Sequence, residues 1–361
     1  MADYAGYLVY LTISTGLFGL FALGLNLQWG FTGLINFGHV AFMTVGAYAT
    51  VLLSSQGVPI IIAAIAGAVL AALLGLLIGT STLRLREDYL AIVTIGVSEF
   101  LRLVVQNEEW LTQGSFGVQS FPLPLVQFSP NPFGKGVMIA ILTLIAALAG
   151  WRLWRGIFQQ GKPIDLLVWG VAATTLGLLL YLSGAVALLN YTYKAGLMLL
   201  VLIALALVYG GLESLVRSPW GRVLKAIRED EQVPLALGKD VFWYKLQAFM
   251  LGGVIAGIAG AFYAWQLTTV YPTNFEPLIS FYAWTIVLLG GAGNNAGTLL
   301  GAVIFWAYDS LTRFVLPQFV PLDDARLGAF RIMIIGLILM VLMVWRPQGI
   351  LGRKEELTLG R

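Results

Sequence analysis

A chain of 361 residues with 59% hydrophobic side chains, 11% charged ones and a mean hydropathy of +0.86 lies far from the composition of soluble domains. Its formal net charge of +3 does not point to nucleic acid, because the Lys and Arg residues sit in short loops beside apolar runs, as membrane topology places them. Without cysteine there is no disulfide, thiolate nucleophile or thiolate metal site, and the single histidine, His39, excludes a His-rich metal centre.

Apolar runs of about 17–25 residues recur along the chain, each about long enough to cross ~30 Å of hydrocarbon as a helix. They predict an all-α polytopic membrane protein with about 10–11 transmembrane helices, some broken or re-entrant. The spans fall near 6–28, 31–53, 58–82, 89–107, 135–151, 166–188, 195–216, 244–271, 278–291, 296–313 and 329–345. The start, MADYAGYLVYLTIS, lacks a basic segment, so the first run reads as a retained helix rather than a cleaved signal. With the C-terminus cytoplasmic, inner segments hold Arg84, Arg86, Arg152, Arg155, Lys162, the basic residues of 217–245, Arg346, Arg353, Lys354 and Arg361. Outer segments hold Lys135, Lys194, Arg313, Arg326 and Arg331. That bias puts the N-terminus and the loop 106–134 outside, and 217–245 inside.

Two segments interrupt the pattern. Residues 29–39, WGFTGLINFGH, and 290–297, GGAGNNAG, place glycine and asparagine where a simple spanning helix would be uniformly apolar. Glycine weakens a helix interior and leaves backbone groups to be satisfied by neighbours, so broken or re-entrant helices are expected at both. Interrupted helices in corresponding halves of a transporter flank the substrate path; close packing through small residues is the bland alternative. On the first reading Asn36, His39, Gly293, Asn294 and Asn295 belong to that path. GGAGNNAG lacks the Lys-Ser/Thr of a phosphate loop and follows no βαβ strand, so it is no nucleotide site.

Glu99 and Arg102, at i and i+3 in the span 89–107, share a helical face. Glu99 joins the candidate path because an ionisable group within the membrane is costly; the bland reading is a pair at the outer end of its span. His39 either lines a cavity or satisfies a backbone carbonyl. Asp309 and Arg313 read as an interfacial ion pair, and Trp243, Tyr244 and residues 262–265 as interfacial aromatic belts.

The one long charged stretch is 217–245, RSPWGRVLKAIREDEQVPLALGKDVFWYK. Ser218-Pro219 signals a helix start, with serine as the cap. Val223, Leu224, Ile227, Val233 and Leu237 fall at roughly helical spacing with charges between them; Pro234 should split the helix and Gly238 end its second part. A short amphipathic helix can rest in the lipid interface or dock in a partner's groove, and the acids here favour docking.

The stretch 217–245 resembles the conserved cytoplasmic loop of LivM-type permeases of branched-chain amino acid ABC transporters. Further similar blocks are 25–48 (LNLQWGFTGLINFGHVAFMTVGAY), 83–97 (LRLREDYLAIVTIGV), 111–117 (LTQGSFG), 259–263 (AGAFY), 287–297 (VLLGGAGNNAG) and 346–352 (RPQGILG). The resemblance implies a single permease domain over 1–361 that forms half of a heteromeric pore in the bacterial inner membrane. It implies a second homologous permease, two cytoplasmic ATPase subunits carrying ATP and Mg, and an extracytoplasmic binding protein as partners. The permease itself would bind no cofactor and catalyse nothing. Carried over, the coupling segment would use Arg222, Lys225, Ala226, Arg228, Glu229, Asp230, Glu231, Ala236, Leu237 and Gly238. The family's Glu-Ala-Ala start is replaced here by Gln232-Val233-Pro234. The extra hairpin region 130–195 is similar to permeases of the NatD kind, which implies neutral or branched-chain amino acids as cargo. Urea or a ribose-type sugar is the alternative cargo. An ion-coupled secondary transporter would need several carboxylates at mid-membrane depth, where only Glu99 comes near.

Overall fold

The computed structural model describes residues 2–84, 87–160, 163–319, 323–345 and 349–352. Arg86, Lys162, Arg346, Arg353, Lys354 and Arg361 lie outside the described residues, as do the side chains of Trp154, Arg155 and Arg331.

Every expected span has a helix. In chain order these are α1 (Ala2–Leu25), α2 (Val40–Ser55), α3 (Ile60–Thr82), α4 (Glu87–Asn107), the short α5 (Glu109–Thr112), α6 (Pro132–Gln160), α7 (Pro163–Leu189) and α8 (Tyr193–Arg217). They continue with α9 (Pro219–Glu229), α10 (Gln232–Ala236), α11 (Val241–Leu267), α12 (Leu278–Gly290), α13 (Asn295–Phe319) and α14 (Asp324–Trp345). Among the described residues there is no strand, only an isolated bridge in which Val118 and Val270 exchange backbone hydrogen bonds of 2.9 and 3.0 Å. By length and composition six helices could cross a membrane, and Pro272–Gly290 with Asn295–Arg313 form a pair bent by 116°. The all-α polytopic class is the one expected from the apolar runs, while six or seven spans pass this test among the described residues where about ten or eleven were expected.

The chain divides into two compact units, one of residues 1–16 and 124–207, the other of 17–123 and 208–361. In the first, α6 packs on α7. Lys135 Nζ donates to the Leu189 carbonyl at 2.6 Å, Thr143 and Tyr181 share a hydroxyl hydrogen bond of 2.9 Å, and Met198 and Leu142 close over Gly184. Leu144, Leu148, Leu178 and Leu182 stay exposed, which fits a surface solvated by acyl chains.

The second unit is built on α2, α3 and α11, which pack closely on one another. Lipid offers no hydrophobic force between helices, so association depends on close backbone approach through small residues. A Cβ on Gly46 would overlap the Gly257 carbonyl, and one on Gly260 the Met43 carbonyl. Phe21, Phe42, Phe249 and Phe275 fill the space around this contact and are fully buried. Phe262 and Trp265 are buried here too, edge to face at 5.2 Å, and Tyr263 meets Phe18 and Phe275. The expected aromatic belt at 262–265 is therefore packing inside the bundle: in α11 a strip of small residues brings neighbouring helices close enough to cover the rings. Trp243, at 51% exposure, does stand at a surface.

Candidate functional site

Both interruptions are present, and they are one structure. After α1 the chain makes a π turn, Asn26–Gly30, in which the Phe31 amide donates to the Asn26 carbonyl at 3.1 Å. It then runs without regular helix to α2. The extended part is tied to α12: Trp284 Nε1 donates to the Asn36 carbonyl at 2.9 Å, and the Val40 amide donates to Ser280 Oγ at 2.9 Å. Phe37 stacks on Phe281 at 5.5 Å, and Trp29 meets Trp284 at 4.5 Å.

The second interruption turns on Gly291 and Gly293, whose φ values of 109° and 77° favour glycine. Asn294 then caps α13, its Oδ1 accepting from the Gly297 amide at 3.1 Å. Gly290 and Gly297 approach so closely that a Cβ on either would overlap the other's carbonyl. The segment after α14 returns here: the Ile350 amide donates to the Leu289 carbonyl and the Leu351 amide to that of Gly290, each at 3.0 Å. Asn294 Nδ2 closes the contact by donating to the Leu351 carbonyl at 2.9 Å.

Asn26 joins the two. Its Oδ1 accepts from the Gly293 amide at 2.9 Å and its Nδ2 donates to Asn295 Oδ1 at 3.1 Å. Asn295 Nδ2 donates in turn to Glu213 Oε2 at 3.2 Å, and Glu213 pairs with Arg217 at 2.5 Å. Gln28 works alongside, donating to the Phe249 carbonyl and accepting from Asn36 Nδ2, both at 2.8 Å. Asn26, Gln28 and Asn36 are wholly buried, so each bond is made where water cannot replace it.

His39 is also wholly buried. Its Nε2 lies 3.1 Å from the Phe21 carbonyl, so Nε2 carries the proton, and its ring lies against Phe21 and Phe42. His39 thus satisfies the Phe21 carbonyl. Glu99 is held by Arg102 in a bidentate pair, Nη2 to Oε1 at 2.5 Å and Nε to Oε2 at 2.9 Å, and Arg102 also donates to Gln106. Among the described residues Glu99 shares no hydrogen bond with either interruption, so the geometry brings together Asn36, Gly293, Asn294 and Asn295 but leaves Glu99 apart.

The charged stretch folds as α9 and α10. Gly221, Leu224 and Ile227 form the buried face of α9, with Arg222, Lys225 and Glu229 on the opposite side. The helices part at Asp230, before the proline, because Pro234 is tolerated in the first turn of α10, where its missing N–H goes unneeded. Gly238, at φ 72°, ends α10 as expected, its amide donating to the Leu235 carbonyl at 2.9 Å while that of Lys239 donates to Pro234 at 3.0 Å. Ser218 starts α9 but does not cap it through its side chain; the hydroxyl turns back to the Leu215 carbonyl at 2.6 Å.

Of the ten residues expected to face a partner, Arg222, Lys225, Glu229, Asp230, Ala236, Leu237 and Gly238 are exposed. Arg228 instead turns inward and donates from Nη1 to the Gly30 carbonyl at 2.5 Å, and Glu231 pairs with Lys245. Trp220 Nε1 donates to Gln247 Oε1 at 2.7 Å, fixing the start of α9 to α11.

Comparison with known proteins gives a match over residues 7–343 to the family described as the branched-chain amino acid transport system permease component. The chain belongs to this family. It is similar to the high-affinity branched-chain amino acid transport system permease protein LivM of Escherichia coli K12, 30% identical over 339 residues, or 93% of this chain and 68% of that protein. The probable LivM of Methanocaldococcus jannaschii is 24% identical over 389 residues, 95% of this chain and 92% of the relative. The xylose transport system permease protein XylH of E. coli K12 is 31% identical over 189 residues, 50% of this chain and 46% of that one. No solved structure matches. The family is the one that the motif blocks indicate, and the chain is a multi-pass membrane permease component.

Asn26, Gln28 and the 350–351 backbone, known from the sequence only as parts of the similar blocks 25–48 and 346–352, contribute to this site together with Glu213. Asn26 and Gln28 carried a usable signal, since an amide at the end of an apolar span faces protein rather than lipid. The 350–351 contacts carried none, being made by backbone.

Proposed function

We propose that this permease forms half of the translocation pore of an ABC importer for neutral and branched-chain amino acids. A second homologous permease completes the pore, two cytoplasmic ATPase subunits supply ATP hydrolysis with Mg, and an extracytoplasmic binding protein delivers the cargo. The observation that carries this reading is the two-sided arm of α9 and α10. One side, with Leu224 and Ile227, is buried against the subunit; the other presents Val233, Leu235 and Leu237 at 52, 56 and 74% exposure among charged residues. Apolar residues so exposed, rimmed by charge, suit a groove on a protein. With the C-terminus cytoplasmic and the N-terminus outside, the arm faces the compartment where ATP is hydrolysed.

On this reading the ATPases close on ATP, move α9 and α10, and tilt the attached spans to give alternating access. Cargo passes beside the two interruptions. Asn36, His39, Gly293, Asn294 and Asn295 shape that path by holding its backbone rather than by reaching into it, because Asn36, His39 and Asn295 are buried. Glu99 would lie toward the outer end. Branched-chain cargo is supported by the LivM relatives and by the apolar rings of Phe37 and Phe281 beside the first interruption.

The test is co-purification with candidate ATPase subunits and substitution of the exposed positions Lys225, Glu229, Asp230, Ala236 and Leu237, including Ala236→Asp. Loss of the complex, or of substrate-stimulated ATP hydrolysis, is expected; survival of both through every substitution contradicts the reading. A sugar is the second reading for cargo, favoured by the xylose permease match over half the chain. Uptake competition among leucine, alanine, xylose and urea separates the two, with leucine or alanine expected to dominate.

A further inference from the structure

Gly30 ends the π turn, where the chain leaves helical geometry and the next turn that would supply an amide to its carbonyl is missing. Arg228 supplies the donor, Nη1 to carbonyl at 2.5 Å. A guanidinium suits this place twice over: it hydrogen-bonds a terminal carbonyl, and its charge complements the negative end of the helix dipole. Gly293 leaves room for the guanidinium, while Gly33 only passes Arg228 at ordinary contact distance. A Cβ on Gly293 would lie 2.7 Å from Arg228 Nη1, and one on Gly33 would lie 3.7 Å from Arg228 Cα. The arginine thus enters between the two interruptions from the buried side of α9, whose opposite side is exposed.

One turn before Gly30, Asn26 holds the Gly293 amide and the Asn295 side chain. A short chain of polar contacts therefore runs from α9 to the end of the first interrupted span and on to the second. Hydrophobic contacts of Leu224 and Ile227 fix the height of α9 but allow it to slide, whereas a charge-assisted bond to a carbonyl has direction and resists both withdrawal and rotation.

We propose that Arg228 is a positioning residue that ties α9 to the Gly30 carbonyl, so that displacement of the α9–α10 arm is delivered to both interrupted spans. The inference rests on the reading that the arm docks on an ATPase. A residue that only stabilised the fold would lower the amount of assembled transporter; a tether sets how much cargo moves for each ATP hydrolysed.

The experiment reconstitutes the complete transporter in vesicles and measures cargo transported per ATP hydrolysed for the wild type, Arg228→Lys and Arg228→Ala. Arg228→Ala is expected to assemble, to keep substrate-stimulated ATP hydrolysis, and to lose transport per ATP by about tenfold, the size of one charge-assisted hydrogen bond. Arg228→Lys, which keeps a donor and the charge but not the fork, is expected to fall between. Unchanged transport per ATP in Arg228→Ala overturns the proposal.

If Arg228→Ala does not accumulate, Arg228→Lys decides, because it keeps the charge and a donor: a reduced transport per ATP supports the proposal and an unchanged one overturns it. Failure of the docking reading shows separately, in the wild type, as transport that needs no ATPase subunit.

Discussion

At 26–39 the chain leaves helical geometry through side chains: Asn26, Gln28 and Asn36 carry the hydrogen bonds, and Arg228 reaches in from another helix to satisfy Gly30. At 290–297 the chain turns on glycine conformations and on backbone contacts with 350–351, with Asn294 both capping α13 and holding Leu351. The difference teaches how each break is held. A side-chain amide can change partner by a rotamer flip, while glycine carbonyls packed backbone to backbone have one arrangement. The first interruption is the one whose Gly30 carbonyl Arg228 joins to the arm.

Substitutions can break that comparison. The largest effect is expected from Gly290→Val, where the new side chain meets the Gly297 backbone and nothing soft can yield. Overpacking of this kind costs roughly 3 kcal/mol or more, so little folded protein should elute on fluorescence-detected size exclusion. Asn26→Ala removes two hydrogen bonds and leaves the Gly293 N–H without its acceptor and Asn295 Oδ1 without its donor. A loss of about 2 kcal/mol is expected, read as a lowered melting temperature in detergent with folded protein still obtained. Asn294→Ala loses a cap and one contact with Leu351, about 1 kcal/mol on the same assay. The smallest effect sharpens the contrast: Gly96 in α4 has open space where its Cβ would go, and Gly96→Ala should be neutral or stabilise by up to about 1 kcal/mol. Destabilisation by Gly96→Ala as large as that at position 290 would remove the distinction between packed and unpacked glycines.

Much of this was legible in the sequence because membranes impose lengths and glycine imposes breaks. The spans, the two interruptions and the split amphipathic arm all follow from local composition, and Gly238 ends α10 where a glycine was expected to. What could not be read is pairing at a distance. Asn26 and Asn295 lie 269 residues apart, and no local pattern says that they meet. Arg228 looks from sequence like one more charge on an exposed face; its inward turn follows only from the unfilled carbonyl at Gly30. The aromatic residues of α11 misled for the opposite reason, since their spacing fits an interface equally well, and the small residues that let neighbours cover them act through three-dimensional approach.

The central claim is that α9 and α10 form the surface that meets an ATPase. Because the chain has no cysteine, one introduced at a time reports a single place. Leu237→Cys, on the arm, and Trp110→Cys, at a position 82% exposed beyond the C-terminal end of α4, are each carried in the assembled transporter and treated with a short bifunctional cross-linker. The account predicts an adduct between Leu237→Cys and an ATPase subunit and none from Trp110→Cys. No adduct at 237 in a transporter that still hydrolyses ATP, or an equal adduct at 110, would contradict it.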